Sequence, residues 1–221
     1  MDGITELVFI LDRSGSMHGL EADTIGGFNS MLEKQKAGGT PVLISMVLFN
    51  DKSEVIHDRC NIADISPLTA KEYEVGGRTA LLDAVGDAVK HIRNVHHYIR
   101  PEDVPAHTLF VISTDGMENA SCRFSLDDVR KLIEGQKEKG WEFIFLGANI
   151  DAVETARSFG IAQDRAVDYL NDREGIGAAY RSISYACCRM ASKGGIDELW
   201  SRSASEDFAA RSVKSQRRKS R

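Results

Sequence analysis

Residues 7–17 read LVFILDRSGSM, an apolar run that passes directly into a turn rich in oxygen-bearing side chains. A short continuous apolar run that stops at a turn is typical of a buried strand. Three of the turn residues, Asp12, Ser14 and Ser16, carry the kind of oxygen ligand that hard divalent cations prefer. The stretch therefore predicts a central strand followed by a metal-binding loop.

Two later stretches carry matching side chains. Thr79 lies in GGRTALLDAV (76–85), where a helical apolar pattern begins, and Asp115 lies in STDGMEN (113–119), directly after the apolar run at 109–112. Two carboxylates and three hydroxyls suit a small cation that prefers oxygen, Mg²⁺ first and Mn²⁺ second. We predict one metal site, made by Asp12, Ser14, Ser16, Thr79 and Asp115.

Each of these residues also has a simpler interpretation. Ser14 and Ser16 are compatible with a tight turn that caps a helix, and Thr79 is compatible with a helix N-cap. Asp115 and the glycine after it form a common turn pair. The occurrence of all five in order, each at the end of a predicted strand or the start of a predicted helix, favours metal ligation.

The pattern D-x-S-x-S, followed by a distant Thr and a distant Asp, resembles the metal-ion-dependent adhesion site (MIDAS) of von Willebrand factor type A (vWA) domains. The resemblance covers about residues 4–170 and is closest in kind to the bacterial cytoplasmic members. It implies a protein-binding module rather than an enzyme, in which the metal captures an Asp or Glu carboxylate of a partner protein. It also implies that Thr79 is the ligand that is exchanged as the site opens.

The order of patterns predicts an α/β fold with a doubly wound, mostly parallel sheet, helices on both faces and one antiparallel edge strand. The antiparallel strand is expected after a hairpin turn at 50–52. We predict strands over 5–11, 42–49, 54–57, 108–113, 141–146 and 164–170, with helices over 19–36, 79–98 and 173–191 and another starting after Ser125 as N-cap. Ligands of such sheets gather beyond the carboxyl ends of the strands, where Asp12 and Asp115 fall.

Residues 1–195 are expected to form one vWA domain, followed by a basic, disordered tail over 196–221. Between 211 and 221 there are six basic residues and no acidic ones, which leaves the other 210 residues at −11 when the whole chain carries −5. Residues 211–221 have no aromatic side chains on which bases could stack, so we do not expect them to bind nucleic acid.

Composition predicts a cytoplasmic protein that does not enter membranes. The chain has 221 residues, of which 42% are apolar, enough for a full core. No stretch has the length of a membrane span or the features of a secretion signal. The four cysteines, at 60, 122, 187 and 188, lack zinc spacing, so we expect reduced thiols.

Two other classes of protein fit parts of the sequence. A metal-dependent phosphohydrolase could use Asp12, although an aspartyl-phosphate mechanism wants a second carboxylate two residues later, where this chain has Ser14. A nucleotide-binding Rossmann domain wants G-x-G-x-x-G after its first strand, whereas the GxG string here, Gly175 to Gly177, comes late and lacks the third glycine. The phosphohydrolase is the alternative that stays open.

Overall fold

A computed structural model describes residues 3–219 of the chain, with side chains described for residues 3–212. Its six-stranded sheet has the order β3-β2-β1-β4-β5-β6. The strands are β1 (Thr5–Asp12), β2 (Val42–Phe49), β3 (Ser53–Asn61), β4 (His107–Thr114), β5 (Glu142–Gly147) and β6 (Ala166–Asp168). Neighbouring strands run parallel except β2 and the edge strand β3, which are antiparallel. The predicted fold class is confirmed.

Within residues 3–219, six α-helices surround the sheet. They are α1 (Glu21–Ala37), α2 (Leu81–Tyr98), α3 (Leu126–Lys137), α4 (Ala152–Ser158), α5 (Arg173–Lys193) and α6 (Arg202–Lys219). Side chains of α1 and α5 share one apolar core with one face of the sheet. Side chains of α2, α3 and α4 share a second core with the other face. The sheet is therefore the middle layer of three.

The burial of both faces explains why the central strand is a continuous apolar run. Along β1, Phe9 belongs to the core under α1 and α5, while Val8 and Ile10 belong to the core under α2, α3 and α4. All three are at most 1% exposed. Since each fully buried side chain of this kind contributes about 1.5–3 kcal/mol, the central strand is fixed by packing on both sides.

Helix boundaries follow local chemistry. The predicted N-cap Ser125 accepts a hydrogen bond from the backbone of Asp128, and the Asp128 side chain accepts one from the Ser125 backbone, which forms a capping box. At the other end of a helix, Gly194 follows α5 with φ of +69°, a conformation in which a glycine is favoured.

The C-terminal segment differs from the prediction. We expected 196–221 to be disordered, but α6 occupies most of it and packs on α5. Trp200 and Ala204 are fully buried in the core under α1 and α5, and the Trp200 indole N–H donates to the carbonyl of Asp164 at 2.8 Å. The prediction was wrong here because the basic charge lies at the far end of the segment, whereas the apolar residues nearer its start, Ile196, Trp200 and Ala204, pack into the core. Side chains beyond residue 212, where most of the basic cluster lies, are outside the described part.

None of the helices within residues 3–219 is long and apolar enough to cross a lipid bilayer. The cytoplasmic location stays a prediction.

Replacing Trp200 with alanine should lower the free energy of unfolding by about 3–5 kcal/mol, because a large side chain buried in a shared core leaves a cavity. Chemical denaturation followed by circular dichroism measures the change. The control is Leu199→Ala at a side chain that is 56% exposed, which should cost less than about 0.5 kcal/mol. Equal stability of the two variants would show that the segment does not belong to the core.

Candidate metal centre

The site forms where two neighbouring strands end. β1 ends at Asp12, and β4 ends at Thr114, one residue before Asp115. The two strands are hydrogen-bonded neighbours and run parallel, with Leu11 opposite Ser113. Both carboxylates therefore lie at the same edge of the sheet, although 103 positions separate them in the sequence.

Asp12 is held on both sides of its carboxylate. Its Oδ1 accepts from the backbone N–H of Ser14 at 2.7 Å, and its Oδ2 accepts from the hydroxyl of Thr114 at 2.6 Å. The residue is only 2% exposed. Burial raises the pKa of Asp12 above its usual value, even though these hydrogen bonds act in the opposite direction.

Asp115 is equally enclosed. Its Oδ1 accepts from the hydroxyl of Ser16 at 2.6 Å, and its Oδ2 accepts from the side-chain amide of Asn171 at 2.9 Å. Burial is the main reason that the pKa of Asp115 is raised, and the nearby charge of Asp12 raises it further. Two carboxylates that are both harder to ionise than usual, and that repel each other, make a site that a cation would stabilise.

The three hydroxyls lie around the same point. Ser14 Oγ is 3.0 Å from Ser16 Oγ. Ser16 and Thr79 lie on either side of Gly116, where a Cβ would fall 3.3 Å from Ser16 Oγ and 3.1 Å from Thr79 Oγ1. A side chain at this position would crowd the space between the hydroxyls. The structure thus brings all five predicted residues to one place.

The donor set and its geometry fit a small hard cation. Adjacent oxygens around an octahedral Mg²⁺ lie about 3.0 Å apart when each metal–oxygen distance is about 2.1 Å, which the two serine hydroxyls already match. Thr79 is 3% exposed, yet its hydroxyl makes no hydrogen bond to any described residue. Within the described residues no three His, Cys, Asp or Glu side chains form a cluster, so the hydroxyls are needed to complete this site.

Several residues that position the site were not predicted. Thr114 and Asn171 bond directly to the two carboxylates, and the Oδ1 atom of Asn171 is buried without a partner among the described residues. The hydroxyl of Tyr73 donates to the carbonyl of Asp12 from inside the core. The sequence did contain a signal for Thr114, because this residue precedes Asp115 at the point where the strand reaches the ligand edge. Tyr73 and Asn171 lie in loops whose approach only the fold determines.

The turn after β1 is fixed from the other side by the loop before α2. The N–H of Gly76 donates to the carbonyl of Arg13 at 2.9 Å, and the N–H of Gly15 donates to the carbonyl of Gly77 at 3.0 Å. Gly77 has φ of +79°, which explains the glycine at this position. These two bonds place Thr79 against the serine turn.

The loop after β4 is fastened to the start of α2 by two carboxylates. Asp83 accepts from the backbone N–H groups of Cys122, Arg123 and Phe124 at 3.1, 2.9 and 2.9 Å. Burial raises the pKa of Asp83, but these hydrogen bonds outweigh it, and the pKa lies below its usual value. Glu118 reaches back in the other direction and accepts from the backbone N–H of Leu82 at 2.8 Å. The surroundings of Asp83 thus favour its charged form, and its role is structural.

No family model and no curated protein matches the sequence. Solved structures do resemble it. The vWF domain of the type V pili tip protein Mfa5 from Porphyromonas gingivalis is 11% identical, with a TM-score of 0.64 over 90% of this chain and 99% of that chain. Proximal thread matrix protein 1 from the mussel byssus, solved with a zinc-occupied MIDAS motif, is 13% identical, with a TM-score of 0.58 over 85% of this chain and 46% of that chain.

A third similar structure is the von Willebrand factor type A protein from Catenulispora acidiphila, which is 14% identical with a TM-score of 0.56 over 85% of this chain and 43% of that chain. This chain therefore spans nearly all of the Mfa5 domain, but less than half of the mussel protein and of the Catenulispora protein. At these identities the similarity establishes the fold. The chain has the von Willebrand factor type A fold, as the three sequence motifs suggested.

Replacing Asp115 with asparagine should raise the melting temperature in EDTA, because the amide removes a buried charge that burial and Asp12 disfavour. The gain should shrink as the pH falls, since protonation of Asp115 removes the same charge. Differential scanning calorimetry over a pH series measures both effects.

The matched control is Asp83→Asn, which removes a carboxylate that three N–H groups stabilise and should lower the melting temperature at neutral pH. If Asp115→Asn destabilises the protein as much as Asp83→Asn does, the Asp12–Asp115 pair is not under electrostatic strain.

Proposed function

We propose that the protein is a metal-dependent protein-binding module, in which Mg²⁺, or Mn²⁺ in its place, captures an acidic side chain of a partner protein. The observation that carries the proposal is the meeting of five oxygen-bearing side chains from three separate segments. Asp12, Ser14 and Ser16 come from the end of β1 and the turn after it, Thr79 from the loop before α2, and Asp115 from the residue after β4.

The arrangement has an inner and an outer side. Asp12 is buried, and both of its oxygens already accept hydrogen bonds from the protein. Ser16 is exposed, so a cation held here would be approached from the Ser16 side. The two carboxylates would balance the charge of a divalent ion, and the neutral hydroxyls would leave it able to attract a further anionic ligand. A partner's carboxylate meets that requirement, and its attraction is stronger at a partly desolvated rim than in bulk water.

The rim also offers an apolar contact. Met117, two residues after Asp115, is 74% exposed. Methionine is a flexible side chain that adapts to differently shaped partners and is enriched at protein interfaces. A partner segment that places a carboxylate on the metal would bring its neighbouring side chain to Met117.

The alternative, a phosphohydrolase that uses Asp12 as nucleophile, is less well supported. Asp12 is 2% exposed and has both oxygens engaged, while the residue two positions later is a serine. The late glycine of the Rossmann-like string, Gly175, has a packing role, because a Cβ there would collide with the carbonyl oxygen of Leu170. Hydrolysis of p-nitrophenyl phosphate that disappears in Asp12→Ala would favour the phosphohydrolase.

Isothermal titration calorimetry should show one Mg²⁺ site, which Asp12→Ala and Asp115→Asn each abolish, because each variant removes one of the two charges that balance the ion. The circular dichroism spectrum should stay unchanged in both. Asp151→Asn is the matched control. Its carboxylate is exposed and caps α4 near the same edge of the sheet, and asparagine can replace it as a cap. If all three variants bind Mg²⁺ as the wild type does, the site assignment is wrong.

Capture of a partner should need both the metal and one acidic residue. Affinity capture from native cells in Mg²⁺ and in EDTA identifies metal-dependent partners, and each acidic residue of a purified partner is then replaced by its amide. EDTA and the decisive amide should each remove most of the affinity, and the two together should cost little more than either one. Thr79→Ala should weaken capture more than metal binding. Additive losses would mean that the metal only shapes the loops.

A further inference from the structure

A cavity lies at the opposite end of the sheet from the metal centre. It has a volume of about 520 Å³ and is enclosed by the end of α2, the loop before β4 and the end of α3. Its floor includes Thr108 near the start of β4, whereas the metal centre follows the end of that strand, roughly 20 Å away at the usual rise per residue. The volume is in the range of pockets that bind small molecules.

The lining of this cavity is basic, although the chain as a whole is acidic. Arg93, His97 and Lys139 line it, and none of the lining residues carries a carboxylate. In the part of the chain with described side chains, none of these three is within ion-pair distance of an acidic group. Two cations without an ion-pair partner, Arg93 and Lys139, in one concavity of a chain with net charge −5 favour the binding of an anion.

Two polar side chains in the cavity wall are buried and lack partners. Thr108 is 2% exposed and Gln136 is 4% exposed, and neither side chain makes a hydrogen bond to any residue from 3 to 212. The polar atoms of both side chains keep some access to solvent, and both residues line the cavity. Buried polar groups of proteins are normally hydrogen-bonded, which indicates that these two are placed to meet a ligand.

An aromatic wall completes the cavity. Trp141 is 8% exposed, stacks on Phe110 with ring centroids 5.4 Å apart and meets the edge of His96. His96 is in turn held by Glu6, with 2.6 Å between Nε2 and Oε2, and Glu6 also binds Arg59. These contacts hold the aromatic wall in place. The buried carboxylate of Glu6 is already paired with Arg59, so it does not compete for the cations at the cavity mouth.

We propose that this cavity binds a small organic anion. Arg93 and Lys139 pair with its phosphate or carboxylate group, Gln136 and Thr108 hydrogen-bond to it at the floor, and its apolar part lies against Trp141. The site is independent of the metal centre and uses none of the same residues.

The test titrates the full-length protein with phenyl phosphate and with benzoate and follows the indole N–H resonance of Trp141 by NMR. Phenol is the uncharged control. At least one anion should bind saturably, and the tighter of the two identifies the anionic group. Arg93→Gln and Lys139→Gln should each weaken that binding about tenfold or more, because each removes a charge-assisted hydrogen bond.

Matched controls are available on α3, which ends beside the cavity. Arg130→Gln and Lys131→Gln remove exposed cations of α3 that pair with Glu134 and Asp127, and they should leave the affinity unchanged. The proposal is overturned if neither anion binds saturably at millimolar concentration, if phenol binds as tightly as the anions, or if the control variants weaken binding as much as the cavity variants do.

Discussion

The strongest constraint on this molecule is the burial of two carboxylates side by side at one edge of the sheet. Asp12 and Asp115 follow neighbouring parallel strands, so the fold cannot separate them. Burial and mutual repulsion both raise the free energy of the charged pair, and a structure of ordinary marginal stability can keep it only with strong compensation. Much of the geometry around the carboxyl edge is explained by that requirement.

Part of the compensation comes from the protein itself. Each carboxylate accepts two hydrogen bonds, one from the serine turn after β1 and one from an outlying residue, Thr114 or Asn171. These bonds orient the carboxylates but leave the charges close together. A divalent cation would complete the compensation, and this need for a cation links the architecture to the proposed function.

The loops around the edge are tied to one another rather than to the sheet alone. Asp83 at the start of α2 accepts hydrogen bonds from backbone N–H groups of the loop after β4, and Glu118 of that loop accepts one from the backbone N–H of Leu82 in α2, a reciprocal arrangement like a capping box at larger sequence distance. The same loop also holds the backbone of Thr79, whose N–H donates to the side chain of Asn119 at 3.0 Å, while the Thr79 hydroxyl makes no hydrogen bond among the residues with described side chains. Rigid support beneath an open ligand position is what a recognition site needs, because little freedom is then lost on binding. The cavity at the other end of the sheet is supported in a similar way. Trp141 packs against His96, and His96 is hydrogen-bonded to the buried Glu6.

The sequence by itself determined the fold class, the strands of the sheet and the five residues of the candidate metal centre. It could do so because an apolar run buried on both faces and a loop of oxygen side chains are local patterns, and because parallel strands must end at a common edge. The tertiary structure alone decided which distant side chains hold the two aspartates. Tyr73 binds the backbone carbonyl of Asp12 and Asn171 binds the carboxylate of Asp115, and both lie in loops that approach the edge from far away in the chain. The tertiary structure also decided that the C-terminal segment packs on the domain. Trp200 is buried only because α5 offers an apolar surface for it to pack on. The sequence of residues 196–221 by itself carries no information about that surface.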